Sequence, residues 1–275
     1  MKFNKKWLQI GLLASLVIFL AACGNSNDMV SADSVNLWDR FVIYPLSQFI
    51  IWLSGIFANN YALGIIVFTL IIRLLLFPVS KMQIKAQRDM QALQPALEAI
   101  KDKYPNRDRE SMQLMQEEQQ ALMEANGVNQ FAGCLPLVIQ LPVMMALYQS
   151  ILRTPELRQG HFLWTNLGQP DPYFILPILA ALLTFANSYF MMKGQEKQNS
   201  QLKIMLYVLP LMILFISVGL PSALALYWVI SNAINVLQTF MYNNPYQIIR
   251  EREAKIQAEK DRQKALRKAM KRVKK

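Results

Sequence analysis

Arg73 is a single positive charge set inside the apolar run Tyr61 to Val79. A guanidinium at membrane depth can bind an anion, draw in an acidic segment, or snorkel to the nearer interface. At the centre of a span it costs about 2.5–3.5 kcal/mol, so it needs a polar cavity, a partner or a short path to water. No Asp or Glu lies in this or any of the other long apolar runs. Ser80 follows seven residues later, which puts Arg73 about 10 Å inside the boundary. Thr69 sits one turn earlier on the same helical face. Other runs carry polar side chains too: Gln140 and Gln149, then Thr184, Asn187 and Ser188. In the last run Trp228, Ser231, Asn232, Asn235 and Gln238 recur at helical spacing. One polar stripe would read as packing glue between helices. A buried cation with polar positions on several runs points to a hydrated groove open to one side.

Other chemistries find little footing. There is no H-E-x-x-H, G-x-S-x-G or phosphate-binding glycine loop. His161 stands without a carboxylate or cysteine near it in sequence, and Cys134 reads as a packed thiol. The expectation is a protein that is not an enzyme, with no cofactor and no metal site.

The elements that must position Arg73 are set by hydropathy. The 275 residues are 53% apolar and only 17% charged, with mean hydropathy +0.20, against about 25% charged in soluble domains. Lys2, Lys5 and Lys6 precede the short apolar stretch Trp7 to Leu20, and Leu20-Ala-Ala-Cys23 follows. That is the pattern of a secretory signal peptide over residues 1–22. Its end resembles a bacterial lipobox, which would leave Cys23 lipidated outside the cell. Five runs read as spans: Tyr61 to Val79, Phe131 to Leu152, Tyr173 to Met192, Ile204 to Gly219 and Ser222 to Met241. The fourth is the short one, at 16 residues. Phe41 to Phe57 is apolar but broken by Pro45, Ser47 and Gln48, and reads as an amphipathic helix on the outer surface. With an outer N-terminus, the inner segments hold 22 Lys/Arg and the outer ones 3. That asymmetry agrees with the positive-inside rule. The fold class expected is therefore an all-α integral membrane protein. Residues 23–60 form the outer segment, 61–241 the five-span core and 242–275 a basic cytoplasmic tail.

Within the core, 80–130 is the largest inner segment. Tyr104-Pro105-Asn106 divides it, which predicts a cytoplasmic helical hairpin over 81–126. Ile84, Leu93, Leu97 and Ile100 mark one apolar face; Met112, Met115, Leu122 and Met123 suit its partner, and Pro95 should kink the first helix. The tail carries 12 basic and 4 acidic residues, enough to hold it against anionic lipid or ribosomal RNA.

These fragments, in this order, resemble the YidC/Oxa/Alb membrane protein insertases, in particular the lipoprotein type of Gram-positive bacteria. They are Ile71-Ile-Arg73-Leu with Phe77-Pro78, Met90-Gln-Ala-Leu-Gln-Pro95, Gly127-Val-Asn129, Gly133-Cys134-Leu-Pro136, Gln140-Leu-Pro142, and Gly219-Leu-Pro221 with Leu226-Tyr-Trp228-Val-Ile-Ser-Asn232. Gln130 departs from the proline usual there. The resemblance implies a groove open to cytoplasm and lipid but closed outside. Arg73, Thr69, Gln140, Asn187, Trp228 and Asn232 are its candidate residues. An incoming protein's acidic or polar end would be attracted to Arg73 while its apolar segment slides into lipid along the third and fifth spans. Partners implied are nascent membrane proteins, the ribosome, a Sec translocon and anionic lipids, in a bacterial plasma membrane. The competing reading is a transporter or channel for a small anion, with Arg73 as the binding charge.

Overall fold

The computed structural model describes residues 29–106, 108–128, 135–193 and 200–273. The signal segment 1–22 and Cys23 lie outside the described residues. The architecture is helical throughout, with one two-residue β-ladder. A π-helical turn, Asp39–Ile43, runs into α1 (Tyr44–Ile56). Then come α2 (Tyr61–Leu75), α3 (Phe77–Lys103), α4 (Arg109–Ala125), α5 (Leu135–Arg153), the short α6 (Pro155–Arg158), α7 (Ile175–Lys193), α8 (Ser200–Val218), α9 (Ser222–Tyr242) and α10 (Pro245–Val273). Between α6 and α7, β1 (His161–Phe162) pairs antiparallel with β2 (Thr165–Asn166), His161 opposite Asn166. The ladder is an addition to the all-α expectation; strands this short leave no alternation in the sequence to read.

α1 and α2 meet at a bend of 115°. Ala58 and Asn59 turn the chain with positive φ, and the Asn60 side chain caps α2 by accepting from the Leu63 amide at 3.1 Å. Gly64 makes the close crossing possible, because a Cβ there would collide with Ser54 Oγ and lie 3.0 Å from the Ile50 carbonyl. Ile43, Ile50 and Leu53 are buried, while Phe41, Trp52 and Ile56 are exposed. Residues 39–56 are thus two-faced, with the buried face pressed on α2.

The first apolar run departs from expectation. α2 ends at Leu75, and Phe77-Pro78-Val79 opens α3. Proline lacks an amide hydrogen and fits the first turn of a helix, so Pro78 starts an element rather than finishing one. α2 is therefore 15 residues, about 22 Å long. Conversely α8 has 19 residues, starting four residues before the 16-residue run that it overlaps. Among the described helices, α7 and the stretch Ser222–Lys268, which joins α9 to much of α10, are long and apolar enough alone to cross a membrane. The bent pair of α1 and α2 would make a third. α3 continues unbroken through Pro95. It packs beside α4, with Ile100 and Met123 buried, but Met112 faces out rather than into the seam. Lys103 pairs with Glu118 at 2.8 Å across the two helices.

The apolar core gathers one half of the bundle. Ile50, Ala62, Ile65, Phe68, Leu147, Ile151, Leu176, Ala180 and the run Ala223 to Trp228 form it. The loop between α6 and α7 seals this end. Ser222 and Ala223 amides donate to the Gln169 and Leu167 carbonyls at 2.7 and 3.2 Å, and Ser222 Oγ donates to the Asn166 carbonyl at 2.6 Å. Asp171 is buried and accepts from the Leu176 and Tyr173 amides and from Trp164 Nε1. That fixes the start of α7.

Candidate functional site

Burial changes along α2 and α9. In α9, every residue from Ser222 to Trp228 is buried; from Val229 onward most are only partly so. In α2, Ala62, Gly64, Ile65, Phe68 and Thr69 are buried, whereas Leu70 to Leu75 are half-buried or exposed. The packed half therefore ends at the level of Thr69 and Trp228. Arg73 lies one turn beyond it.

The Arg73 guanidinium donates from Nη1 to Asn235 Oδ1 at 2.9 Å, across from α2 to α9. Among the described residues no carboxylate pairs with it. A guanidinium offers five N–H donors, so its charge is uncancelled and most of its hydrogen-bonding capacity is left for something else. One turn further along α9, the Thr239 hydroxyl donates to the Asn235 carbonyl at 2.9 Å and to Asn187 Oδ1 of α7 at 3.1 Å, one proton shared between two acceptors. Gln140 of α5 donates to the Tyr227 hydroxyl of α9 at 2.7 Å. Polar side chains thus link α2, α5 and α7 to the single helix α9.

Of the six candidates, Arg73 and Asn187 belong to one hydrogen-bonded chain through Asn235 and Thr239, and Gln140 to a second contact through Tyr227. Thr69 is fully buried, and its hydroxyl donates to the Ile65 carbonyl at 2.7 Å. It forms the floor below Arg73 and has no hydroxyl proton to spare. Trp228 is also buried, and Asn232 donates to the Trp228 carbonyl at 3.0 Å within its own helix. Sequence reasoning placed Asn235 in the polar stripe and passed over Thr239 and Tyr227 as partners. Asn235 and Thr239 were visible as an i, i+4 polar pair. Tyr227 gave no signal, because a tyrosine in an apolar run is ordinary core.

A buried ion pair was also missed. Arg153, in the last turn of α5, holds Asp39 in a two-pronged contact at 2.8 and 2.6 Å. Both residues are buried. They are 114 positions apart, so no local spacing links them.

The comparisons agree with this architecture. Residues 52–251 match the model of the 60Kd inner membrane protein family. Membrane protein insertase YidC 2 of Listeria innocua is 46% identical over 98% of this chain and 93% of its own length. Membrane protein insertase YidC of Enterococcus faecalis is 48% identical over 98% and 96%. MisCA, a membrane protein insertase of Bacillus subtilis, is 41% identical over 86% and 92%. Among solved structures, an active YidC insertase with its first transmembrane domain resolved superposes with TM-score 0.59 at 28% identity. That match covers 74% of this chain and 46% of the other, so the chain spans less than half the length of that relative. With a family model over most of its length and relatives this similar from end to end, the chain is a multi-pass cell-membrane protein that belongs to the YidC/Oxa/Alb membrane protein insertase family.

Proposed function

We propose that this protein inserts and helps fold other membrane proteins, receiving them in a polar groove centred on Arg73. The observation that carries the reading is a half-buried guanidinium held by a neutral amide, just beyond a sealed apolar half of the bundle. A charge that no carboxylate cancels attracts the acidic or polar end of a client. The client's apolar segment then leaves for lipid, driven by its own transfer from water, and no nucleotide is consumed. Gln140, Asn187 and Asn232 line the groove, and Thr69 and Trp228 floor it.

In this reading the chain has five spans. The packed end faces outward, and Cys23 anchors the N-terminus through acyl chains. The α3/α4 hairpin and the basic α10 lie in the cytoplasm, where they meet the ribosome, a Sec translocon and anionic lipid. Cys23→Ala should abolish incorporation of labelled palmitate and leave the spans inserted; palmitate on the variant refutes the anchor.

The test of the groove is a charge series with protease protection of a client's tail in vesicles, expression matched. Arg73→Lys should retain much activity, because a hydrated groove needs a point charge. Arg73→Ala should lose most of it for acidic-tailed clients, and Arg73→Glu more. Loss in Lys as severe as in Ala would favour a small-anion transporter, where the planar guanidinium fork matters. Full activity in Ala would make Arg73 a snorkelling interface residue.

A further inference from the structure

We infer that Asn235 is the positioning residue for Arg73: it holds the guanidinium inside the groove without cancelling its charge. The inference rests on the insertion reading and names a residue that reading does not require. Arg73 lies in the last turn of α2, from where an arginine side chain can reach water by snorkelling. A guanidinium that snorkels leaves the groove for the interface. In the structure it is instead turned across to α9, where Asn235 Oδ1 accepts from Nη1 at 2.9 Å. Guanidinium has no acceptor, so the amide must present its oxygen and its orientation is fixed by the partner. The turn of α9 that carries Asn235 is held in turn, since Thr239 donates to the main-chain carbonyl of Asn235 at 2.9 Å and also reaches Asn187 on α7. The tether is therefore built into the α7–α9 seam.

The residue type matters as much as the place. Aspartate at 235 would hold a guanidinium more firmly, but the pair would be neutral towards an incoming acidic tail. Alanine would preserve the charge and release it to the interface. Only an uncharged acceptor both fixes the cation and leaves its field intact.

The measurement is the ratio of insertion of an acidic-tailed client to that of a neutral-tailed client, read by protease protection in the same vesicles. A ratio within one preparation cancels differences in expression and folding. Asn235→Ala should lower it roughly tenfold, the low end for one hydrogen bond to a charged group. Asn235→Asp should lower it at least as far, and Asn235→Gln, which keeps the acceptor one methylene further out, should recover part of it. In an Arg73→Ala background, Asn235→Ala should not move the ratio again, because the two side chains act as one unit. Equal loss for both clients in Asn235→Ala and Asn235→Asp would make Asn235 a packing residue and overturn the inference. So would a wild-type ratio in Asn235→Asp. If Arg73→Ala leaves the ratio at its wild-type value, the insertion reading itself fails, and the two failures are told apart.

Discussion

Two arginines with the same side chain face opposite electrostatic situations. Arg153 is buried against the carboxylate of Asp39 through two short hydrogen bonds; among the described residues Arg73 has an amide as its hydrogen-bond partner and no carboxylate. Carrying an ion pair into a poorly polar interior costs several kcal/mol per charge, and good geometry must offset it. The Asp39–Arg153 geometry is bidentate, and it is reinforced nearby. The Val30 amide donates to the Arg153 carbonyl at 3.2 Å, and Ser150 Oγ donates to the Ile43 carbonyl. Together these tie the π-helical turn at Asp39–Ile43 to the end of α5. Asp39→Ala should therefore destabilise the protein by about 3–5 kcal/mol, because a buried guanidinium loses its carboxylate. The double variant Asp39→Leu with Arg153→Met should recover much of that loss. Thermal unfolding in detergent measures both; a single variant as stable as the wild type would show that the pair is not a lock. Arg73 announced itself in the sequence, because a lone charge in an apolar run is conspicuous. The Asp39–Arg153 pair could not, because each sits at the edge of a polar segment where charges are ordinary.

At the scale of elements, the apolar runs located the helices, while their ends were set by residues that runs do not report. The break before Pro78 ends α2 at Leu75, short of the apolar run, and Asn60 fixes its start. The two-residue ladder at 161–166 is held by the loop's contacts with α9 rather than by strand pattern. The turn between α3 and α4 is the case where local chemistry decides most. Asp108 caps α4 by accepting from the Ser111 amide at 3.0 Å, and that backbone hydrogen bond holds its carboxyl below the ordinary aspartate range. The hydrogen bond from Lys103 lowers the Glu118 carboxyl, and the same contact raises the Lys103 ammonium. The signs define a window. Stabilisation from Asp108 and Glu118 is present above their ordinary values and fades as pH falls through the lowered ones. That from Lys103 is complete below its ordinary value and fades as pH rises through the raised one. Hydrogen exchange in the first turns of α4 should thus be most protected near neutral pH and accelerate in acid. Asp108→Ala should remove most of that acid dependence, whereas Glu118→Gln should remove less, since exposed pairs contribute little. Exchange independent of pH over the acid range, once corrected for intrinsic rates, would rule out a capping role.

Over the whole molecule, positive charge is concentrated at the end remote from the sealed loop, and α10 carries much of it beyond the bundle. Its base is fixed. Lys193 of α7 lies 4.4 Å over the Tyr246 ring and reaches its hydroxyl at 3.3 Å. Phe240 stacks on Tyr246, and Phe190 packs edge-on against Phe240. The rest of α10 is mostly exposed, with Ile256 and Leu266 among its basic side chains. Anchoring and attraction are thereby separated along one helix, which allows each to be removed alone. Deleting Lys264 to Lys275 takes away seven basic residues and leaves Tyr246 in place. Binding through phosphates weakens with salt in proportion to the contacts made. The truncated protein should therefore co-sediment less with ribosomes or anionic vesicles, with a shallower salt dependence, while its thermal stability stays near that of the full chain. Tyr246→Ala should do the reverse, loosening the base of α10 against α7 without changing the salt slope. Vesicles of anionic and of neutral lipid, run beside purified ribosomes, separate the two targets. Loss on anionic vesicles alone identifies a lipid anchor, and loss on ribosomes identifies recruitment. Unchanged binding to both at low salt would mean that the charge on α10 serves orientation in the membrane and nothing further.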